Sequence, residues 1–420
     1  MSGPKRIIQF LGLRQSIVGL LAMVVLVGVG ERLAERFLPI YLIALGGGAL
    51  SIGVLNGLDN LLSALYSLPG GYLAQRLGTK RALLLFNLVA AVGFMIVILV
   101  PAWPAVLVGA LFFLSWTAIS LPATMELVAR VLPPAKRTMG VSMHSLVRRI
   151  PMALGPIIGG AFIDAWGPIT GVRLAFGAAL AMALLAVVLQ QTLIEDDRAT
   201  PGGRPVPRGN PLRLIRNLDP ALRNLLVADI LVRFCEQIPY AFVVVWCLRT
   251  VAAPVTAVQF GLLTTVEMAT AMLIYVPVAW LADRSTKKPF VVMTFGFFTL
   301  FPLVLLACQS FWPLVVAFVL RGLKEFGEPT RKALIMDLAP EDAKAVTFGV
   351  YYLARDTIVS LAAFGGAALW MIGPEVNLLV AFGCGVAGTV WFAVRGRDLS
   401  AARPPAPQSA HQQGEQHENG

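Results

Sequence analysis

The chain has 420 residues, 57% of them hydrophobic and only 14% charged, with a mean hydropathy of +0.76 and a formal net charge of +11. Soluble domains carry about 25% charged residues, so the composition excludes a globule bathed in water on all sides. The basic residues are spread between apolar runs instead of gathering on one patch, which argues against nucleic acid as the partner they serve. Runs of about 20 apolar residues, enough to cross a bilayer as a helix, recur almost end to end. In chain order they predict spans over 16–44, 50–75, 80–100, 103–130, 138–163, 170–194, 222–249, 256–283, 288–308, 312–338, 345–373 and 376–396. A lipid-facing backbone must satisfy its hydrogen bonds internally, and these runs are too long for barrel strands. The fold class is therefore an all-α integral membrane protein with about twelve transmembrane helices. Pro101, Pro104 and Gly373-Pro374 mark tight turns between neighbouring spans. The first run is long and lacks a small-residue cleavage site, so it is expected to act as an uncleaved start of insertion.

The positive charges fall in every second connection. Arg76, Lys80 and Arg81 follow the second span, Lys136 and Arg137 the fourth, and Arg284, Lys287 and Lys288 the eighth, while Arg395, Arg397 and Arg403 follow the last. Intervening connections hold little besides Arg173 and Arg249. Retention of Lys and Arg on the cytoplasmic side then puts both termini in the cytoplasm, with the protein expected in a bacterial cytoplasmic membrane. The expected organisation is a cytoplasmic segment (1–15), a six-helix bundle (16–194), a basic linker (195–221), a second bundle (222–396) and a disordered polar tail (397–420). Cys235, Cys247, Cys308 and Cys384 stand singly inside predicted helices, which reads as small buried hydrophobes. No cofactor or metal is expected, nor an ATP-binding loop, and a polytopic enzyme would need a nucleophile–base or metal cluster that His144 and the scattered cysteines do not supply.

An internal repeat organises the spans. Residues 51–85 align without a gap to 259–293, matching Gly53 with Gly261, Asp59 with Glu267, Pro69 with Pro277, Arg76 with Arg284 and Lys80 with Lys288 at a constant offset of 208. PATMELVARVLPPAKR (122–137) lies beside PTRKALIMDLAPEDAK (329–344) at an offset of 207. Two parallel halves of six helices explain both pairings, and such halves hold substrate between them near the bilayer midplane.

GYLAQRLGTKR (71–81), echoed by AWLADRSTKKP (279–289), resembles the loop between the second and third helices of the major facilitator superfamily. ALGPIIGG (153–160) is similar to the Gly-Pro-Gly-Gly stretch of that family's fifth helix, and RGLKEFGEP (321–329) to its Arg-Gly motif. The resemblance covers about 16–396 and implies two six-helix pseudo-symmetric bundles. It implies a loop latch of Gly71, Gln75, Arg76, Gly78, Asp283 and Arg284, in which Gln75 replaces the usual carboxylate, so the two latches should be unequal. Topology alone would also explain a basic loop; the repeated spacing favours a conformational role.

Ionisable groups inside spans are costly and usually line a cavity or relay. The first span offers Glu31, Arg32, Glu35 and Arg36, with Arg32 and Glu35 at i, i+3; the seventh offers Arg233 and Glu236 at the same spacing; the tenth offers Arg321, Lys324, Glu325 and Glu328. Because helices one, four, seven and ten line the central cavity in the family, the resemblance implies a cavity built from these groups with Trp116, Gln237, Tyr240 and Tyr352; Thr117, Ser120, Phe234, Phe326 and Tyr351 are expected in the same walls. Self-neutralisation within each helix, for structure alone, is the competing reading. Asp59, Glu267, Arg148 and Arg355 lack such local partners, except that Asp356 adjoins Arg355. The family places helix two against eleven and five against eight, which implies two cross-half gate pairs, Asp59–Arg355 and Glu267–Arg148. At ~1.5 Å per residue the acids lie about 24 Å and the arginines about 15 Å from the basic ends of their helices.

The sequence thus points to a monomeric secondary transporter in the lipid bilayer, moving a small organic substrate by alternating access. Efflux coupled to H+ is the first reading, with Glu31, Glu35, Glu236 and Glu325 as proton carriers. Uptake of an organic anion is the second, and a non-transporting receptor on the same scaffold the third.

Overall fold

The computed structural model describes residues 15–114, 116, 147–193, 219–282, 286–339 and 344–397; among these every regular element is a helix. The helices fall on the twelve predicted spans and are numbered α1 to α12 accordingly. Helix α1 is in two pieces, Gln15–Glu35 and Leu38–Ala44; α2 is Ala49–Leu77, α3 Thr79–Leu99, and α4 begins as Trp103–Phe113. Arg149–Leu193 contains α5 and α6, separated by a reversal at Gly167 (φ 77°) ahead of Pro168. Helix α7 runs as Pro220–Gln237, the tight turn Tyr240–Phe242, Val243–Val245 and the wide turn Trp246–Thr250. Then come α8 (Ala257–Ala282), α9 (Lys288–Ala307), α10 in two pieces (Phe311–Leu323 and Glu328–Leu338), α11 (Lys344–Ile372) and α12 (Pro374–Arg395). Six described helical stretches meet the length and apolarity of a bilayer crossing on their own.

The surface chemistry fits that solvent. Leu273, Trp312 and Val394 are each about three-quarters exposed, which water would penalise and lipid does not. Inside, Phe94, Phe113 and Phe176 pack with ring centroids 5.3–5.8 Å apart in the first half, and Phe295 meets Phe392 at 5.6 Å in the second. Between the halves α2 lies against α11 and α5 against α8, the two contacts that the resemblance implied. One end of the molecule carries the tight turns α1–α2, α3–α4, α5–α6, α7–α8, α9–α10 and α11–α12, and is called here the turn face; the other carries the basic connections and is called the basic face.

Sequence chemistry explains two close approaches. In GPIIGG, a Cβ on Gly159 would sit 1.8 Å from the Leu33 carbonyl oxygen, and one on Gly160 would sit 2.5 Å from that of Ala257. Bare glycine thus lets α5 touch the α1 backbone on one side and α8 on the other. In the loop between α2 and α3, Gly78 turns the chain with φ 83° and ψ 155°, a region open only to glycine, as GYLAQRLGTKR predicts. Arg76 is exposed beside it, Gly71 and Gln75 lie on α2, and Asp283 and Arg284 fall outside the described residues.

Candidate functional site

Three helices break inside the membrane-spanning region, and each break sits beside charge. Helix α1 is interrupted after Glu35, with Pro39 just inside the piece that follows. Helix α7 ends its first piece at Gln237, before Pro239, and α10 is interrupted between Leu323 and Glu328, with Pro329 opening its second piece. Proline lacks the N–H that would continue a helix, and backbone left unpaired at membrane depth is tolerated where it lines a wet cavity. A cavity of about 510 Å³ lies at this level, lined by Glu35, Arg36, Asn56, Asp59, Tyr240 and Arg321, with Leu38, Pro39, Leu55, Leu114, Val243, Val244 and Phe260 among its apolar walls. A smaller space of about 290 Å³ adjoins it, bounded by Glu236, Phe298, Arg321 and Lys324. The larger space combines apolar walls with a few polar groups, as small-ligand pockets do.

Both i, i+3 pairs expected from sequence are formed. Arg32 Nη1 lies 2.7 Å from Glu35 Oε2, and Arg233 Nη1 lies 2.6 Å from Glu236 Oε2. Arg36 makes no ion pair among the described residues; its guanidinium lies over the Tyr240 ring at 5.2 Å. Glu31 is buried in the first half, away from the cavity wall. Arg321 stacks among Tyr240, Phe301 and Phe318 at 5.1–5.7 Å while its Nε lies 3.3 Å from Glu267 Oε1. Glu325 does not pair with Arg321 one turn before it; it meets Arg149 of the other half at 3.3 Å.

The two proposed gate pairs are not formed. Glu267 is held at 3.3 Å by both Arg321 and Lys324 of its own half, and Arg148 makes no ion pair among the described residues. Arg355 turns to Asp229 at 3.4 Å and to Asp356 at 2.7 Å. For Asp59–Arg355 the reason is register. Gly57 packs on Phe364 and Gly53 on Ala367, so Asp59 lies level with Leu361, and Arg355 lies about six residues, or ~9 Å, nearer the basic face. Of the expected cavity residues, Glu31, Arg32, Trp116, Arg233, Gln237, Glu325 and Tyr352 line neither space. Trp116 is buried in the first half, donating its indole N–H to Asn87 Oδ1 at 2.8 Å, in a ladder that continues to Gln190. Tyr352 lies under Arg355, 4.2 Å from guanidinium to ring centre, outside the cavity. Gln237 is close by, its backbone and side-chain oxygens accepting from Asn56 (3.0 Å) and Asn60 (3.2 Å) across the halves. Of the other expected wall residues, Phe326 stacks on Phe290 at 5.7 Å, Phe234 packs by Ile238, and Thr117 and Ser120 fall outside the described residues.

Sequence reasoning missed Asp229. Its carboxylate, 1% exposed, accepts from Arg331 Nη1, from Tyr351 Oη at 3.0 Å and from Arg355 at 3.4 Å, and Arg233 Nε lies 3.9 Å away. Lys324 reaches Glu236 at 2.8 Å and Arg331 reaches Glu328 at 2.7 Å. Acids and bases of α7, α8, α10 and α11 therefore form one continuous lattice from Arg321 at the cavity to Arg355. Asp229, Arg233 and Glu236 stand at i, i+4 and i+7, and this stripe was the available signal.

Asp164 was missed as well. Four residues beyond Gly160 and on the same α5 face, it accepts from the backbone N–H groups of Ala257 (3.0 Å) and Val258 (2.9 Å). A carboxylate of the first half thereby caps the N-terminus of α8 in the second, where it also meets the positive end of the helix dipole. Together with the α2–α11 glycine contacts, the Asn–Gln237 hydrogen bonds and the packing of Phe37 on Phe260 at 5.8 Å, it closes the halves against each other toward the turn face.

Two helical bundles that close on one side around a charged cavity set at helix breaks are the architecture of a multi-pass membrane transporter. The sequence pattern described as Major Facilitator Superfamily matches residues 20–254 and 225–417, and the chain belongs to that superfamily. Solved structures share the fold at low identity. A nucleoside transporter, NupG, aligns with a TM-score of 0.78 at 13% identity over 91% of this chain and 100% of its own. A peptide transporter, POT, in complex with sulfate aligns at 0.74 and 15%, over 91% and 93%. A bacterial homolog of the human lysosomal transporter Spinster, inward-facing and unoccupied, aligns at 0.65 and 14%, over 94% and 96%. No curated protein sequence matches the chain.

Proposed function

We propose that the protein is a proton-coupled secondary transporter that exports a small organic compound through the cavity between its halves by alternating access. The observation that carries this reading is the cavity itself: it lies where α1, α7 and α10 break, between the bundles, and it is closed toward the turn face. Opening requires the bundles to rock apart there, releasing Asp164 from α8, and to meet toward the basic face. With the Lys- and Arg-rich connections in the cytoplasm, both termini are cytoplasmic and this conformation faces inward, in a bacterial cytoplasmic membrane. The latch residues Gly71, Gln75, Arg76 and Gly78, with Asp283 and Arg284, are proposed to act when that side closes. A monomer suffices, since the cavity is built from one chain. No nucleotide or metal is needed: the work comes from a proton gradient.

Uptake of an organic anion is the second reading. It is favoured by Arg36, which lines the cavity without an ion-pair partner among the described residues. Purified protein in liposomes, given a pH gradient of either sign and a panel of cationic, neutral and anionic compounds, tests both. Gradient-driven flux of cations or neutral compounds out of the compartment facing the basic side supports export, and flux of anions with protons supports uptake. Absence of flux for every compound at both polarities rejects transport.

A further inference from the structure

We propose that Asp59 on α2 is the carboxylate that binds the coupling proton. This assignment rests on the proton-coupled reading above and replaces Glu35, Glu236 and Glu325, which are held by cations, and Glu31, which is buried and does not line the cavity. The repeat supplies the first argument. Asp59 corresponds to Glu267 at the offset of 208, and Glu267 is gripped by Arg321 and Lys324 of α10. At the α4–α10 offset of 207, the residues matching those cations are Leu114 and Thr117, neither of them charged. Leu114 lines the cavity alongside Asp59, so the first half meets its acid with a hydrocarbon where the second half supplies a guanidinium.

The second argument is the company Asp59 keeps. From α1 it faces Glu31, Glu35, Arg32 and Arg36; Tyr240 of α7 and Arg321 of α10 line the same cavity, and Gln237 of α7 meets Asn60 beside it; α11 presents Phe364 and Ala367 to the neighbouring turns of α2. Arg32 is engaged by Glu35, Arg321 by Glu267, and Arg36 lies over Tyr240. Asp59 makes no ion pair among the described residues. Glu35, Glu236, Glu325 and Asp229 each sit within 3.4 Å of a cation. Protonating any of these breaks a pair and strands a buried positive charge; protonating Asp59 breaks none. A partly buried carboxylate facing a wet cavity takes a proton from cavity water and returns it to water when the other mouth opens, and nothing else is consumed.

The third argument is position. Asn56 lies one turn before Asp59 on the same helical face and Asn60 adjoins it in the chain, and both donate across the interface to Gln237 of α7. A change of charge at Asp59 therefore acts one turn from hydrogen bonds that tie the halves together.

The test needs no knowledge of the solute. Infrared difference spectra of the full-length protein, titrated from mildly alkaline to mildly acidic pH, should show a protonated-carboxyl C=O band that disappears in Asp59→Asn, persists in Glu35→Gln and returns, shifted, in Asp59→Glu. In parallel, the spin-label distance between α5 and α10 at the turn face, placed at Trp166 and Trp312, should change with pH in the native sequence and lose that dependence in Asp59→Asn. A band unchanged by Asp59→Asn, or no such band in the native protein, overturns the assignment. Loss of the band in Asp59→Asn alongside zero flux for the liposome panel would reject transport and leave Asp59 as the titrating group. pH-driven flux with a titration independent of Asp59 would reject this assignment alone.

Discussion

Glu267 in the second half is held by two cations of α10, whereas Asp59, its counterpart in the first, looks onto Leu114 and is left without an ion pair among the described residues. The same contrast extends outward. In the second half, α7, α8, α10 and α11 are stitched by a lattice centred on Asp229 and Arg331, each 1% exposed. In the first, the described in-span pair is the local one between Arg32 and Glu35, and Arg36 and Arg148 stand without ion pairs among the described residues. A duplicated bundle has kept its acid in both copies and its counter-charges in one. Buried lattices resist change, because removing one partner strands the other. The second half therefore behaves as the frame, and the first as the half whose charge state is free to respond.

The largest expected effect breaks the frame. Asp229→Ala leaves Arg331 and Arg355 facing each other in a buried site, and should cost about 3–5 kcal/mol of stability, read as a large fall in the thermal denaturation midpoint in detergent. Asp59→Asn should leave that midpoint nearly unchanged, because no ion pair is lost; equal destabilisation by the two would erase the proposed difference between the halves.

Next in size is an attempt to make the first half resemble the second. Leu114→Lys places a cation in the cavity wall that Asp59 shares, imitating Arg321 beside Glu267. An ion pair there worth about 1.4 kcal/mol corresponds to a tenfold bias toward the charged form. Flux driven by the pH gradient should fall about tenfold or more, and the infrared band of Asp59 should move to lower pH. Undiminished flux would show that an unpaired acid is not what the first half contributes.

The smallest effect concerns the seam between the halves. Asp164→Ala removes a cap whose loss costs about 0.5–2 kcal/mol in helices generally, so the turn-face distance distribution between α5 and α8 should shift toward the open form by about two-fold to about thirty-fold. An unchanged distribution would mean that Asp164 caps α8 without contributing to closure.

Much of this molecule was legible in its residues. Hydropathy gave the twelve spans, since a bilayer imposes one length and one backbone solution on any segment that crosses it. The repeat announced two halves, and i, i+3 spacing correctly joined Arg32 to Glu35 and Arg233 to Glu236, because partners one turn apart on a helix share a face whatever lies around it. Gly78 was readable for the same local reason. The cross-half pairs Asp59–Arg355 and Glu267–Arg148 were placed on helices that do pack together, yet the side chains went elsewhere. Contact between two helices does not fix their axial register or rotation, and a register offset of ~9 Å, about six residues of helix, is enough to send Arg355 to Asp229. Trp116 and Tyr352 failed likewise, each turned into its own bundle.

The sequence by itself determined that the chain crosses a membrane many times, that it does so in two related halves, and which charges must be sheltered inside. Those facts follow from one-dimensional quantities: run length, spacing and offset. Only the tertiary structure decided which charges neutralise one another, that Asp164 ties α5 to α8, and that Asp59 makes no ion pair among the described residues. Those outcomes depend on distances of a few ångströms between helices as much as 176 residues apart in the chain, as with Arg149 and Glu325, and such distances are set by how glycine, proline and aromatic surfaces let the helices approach.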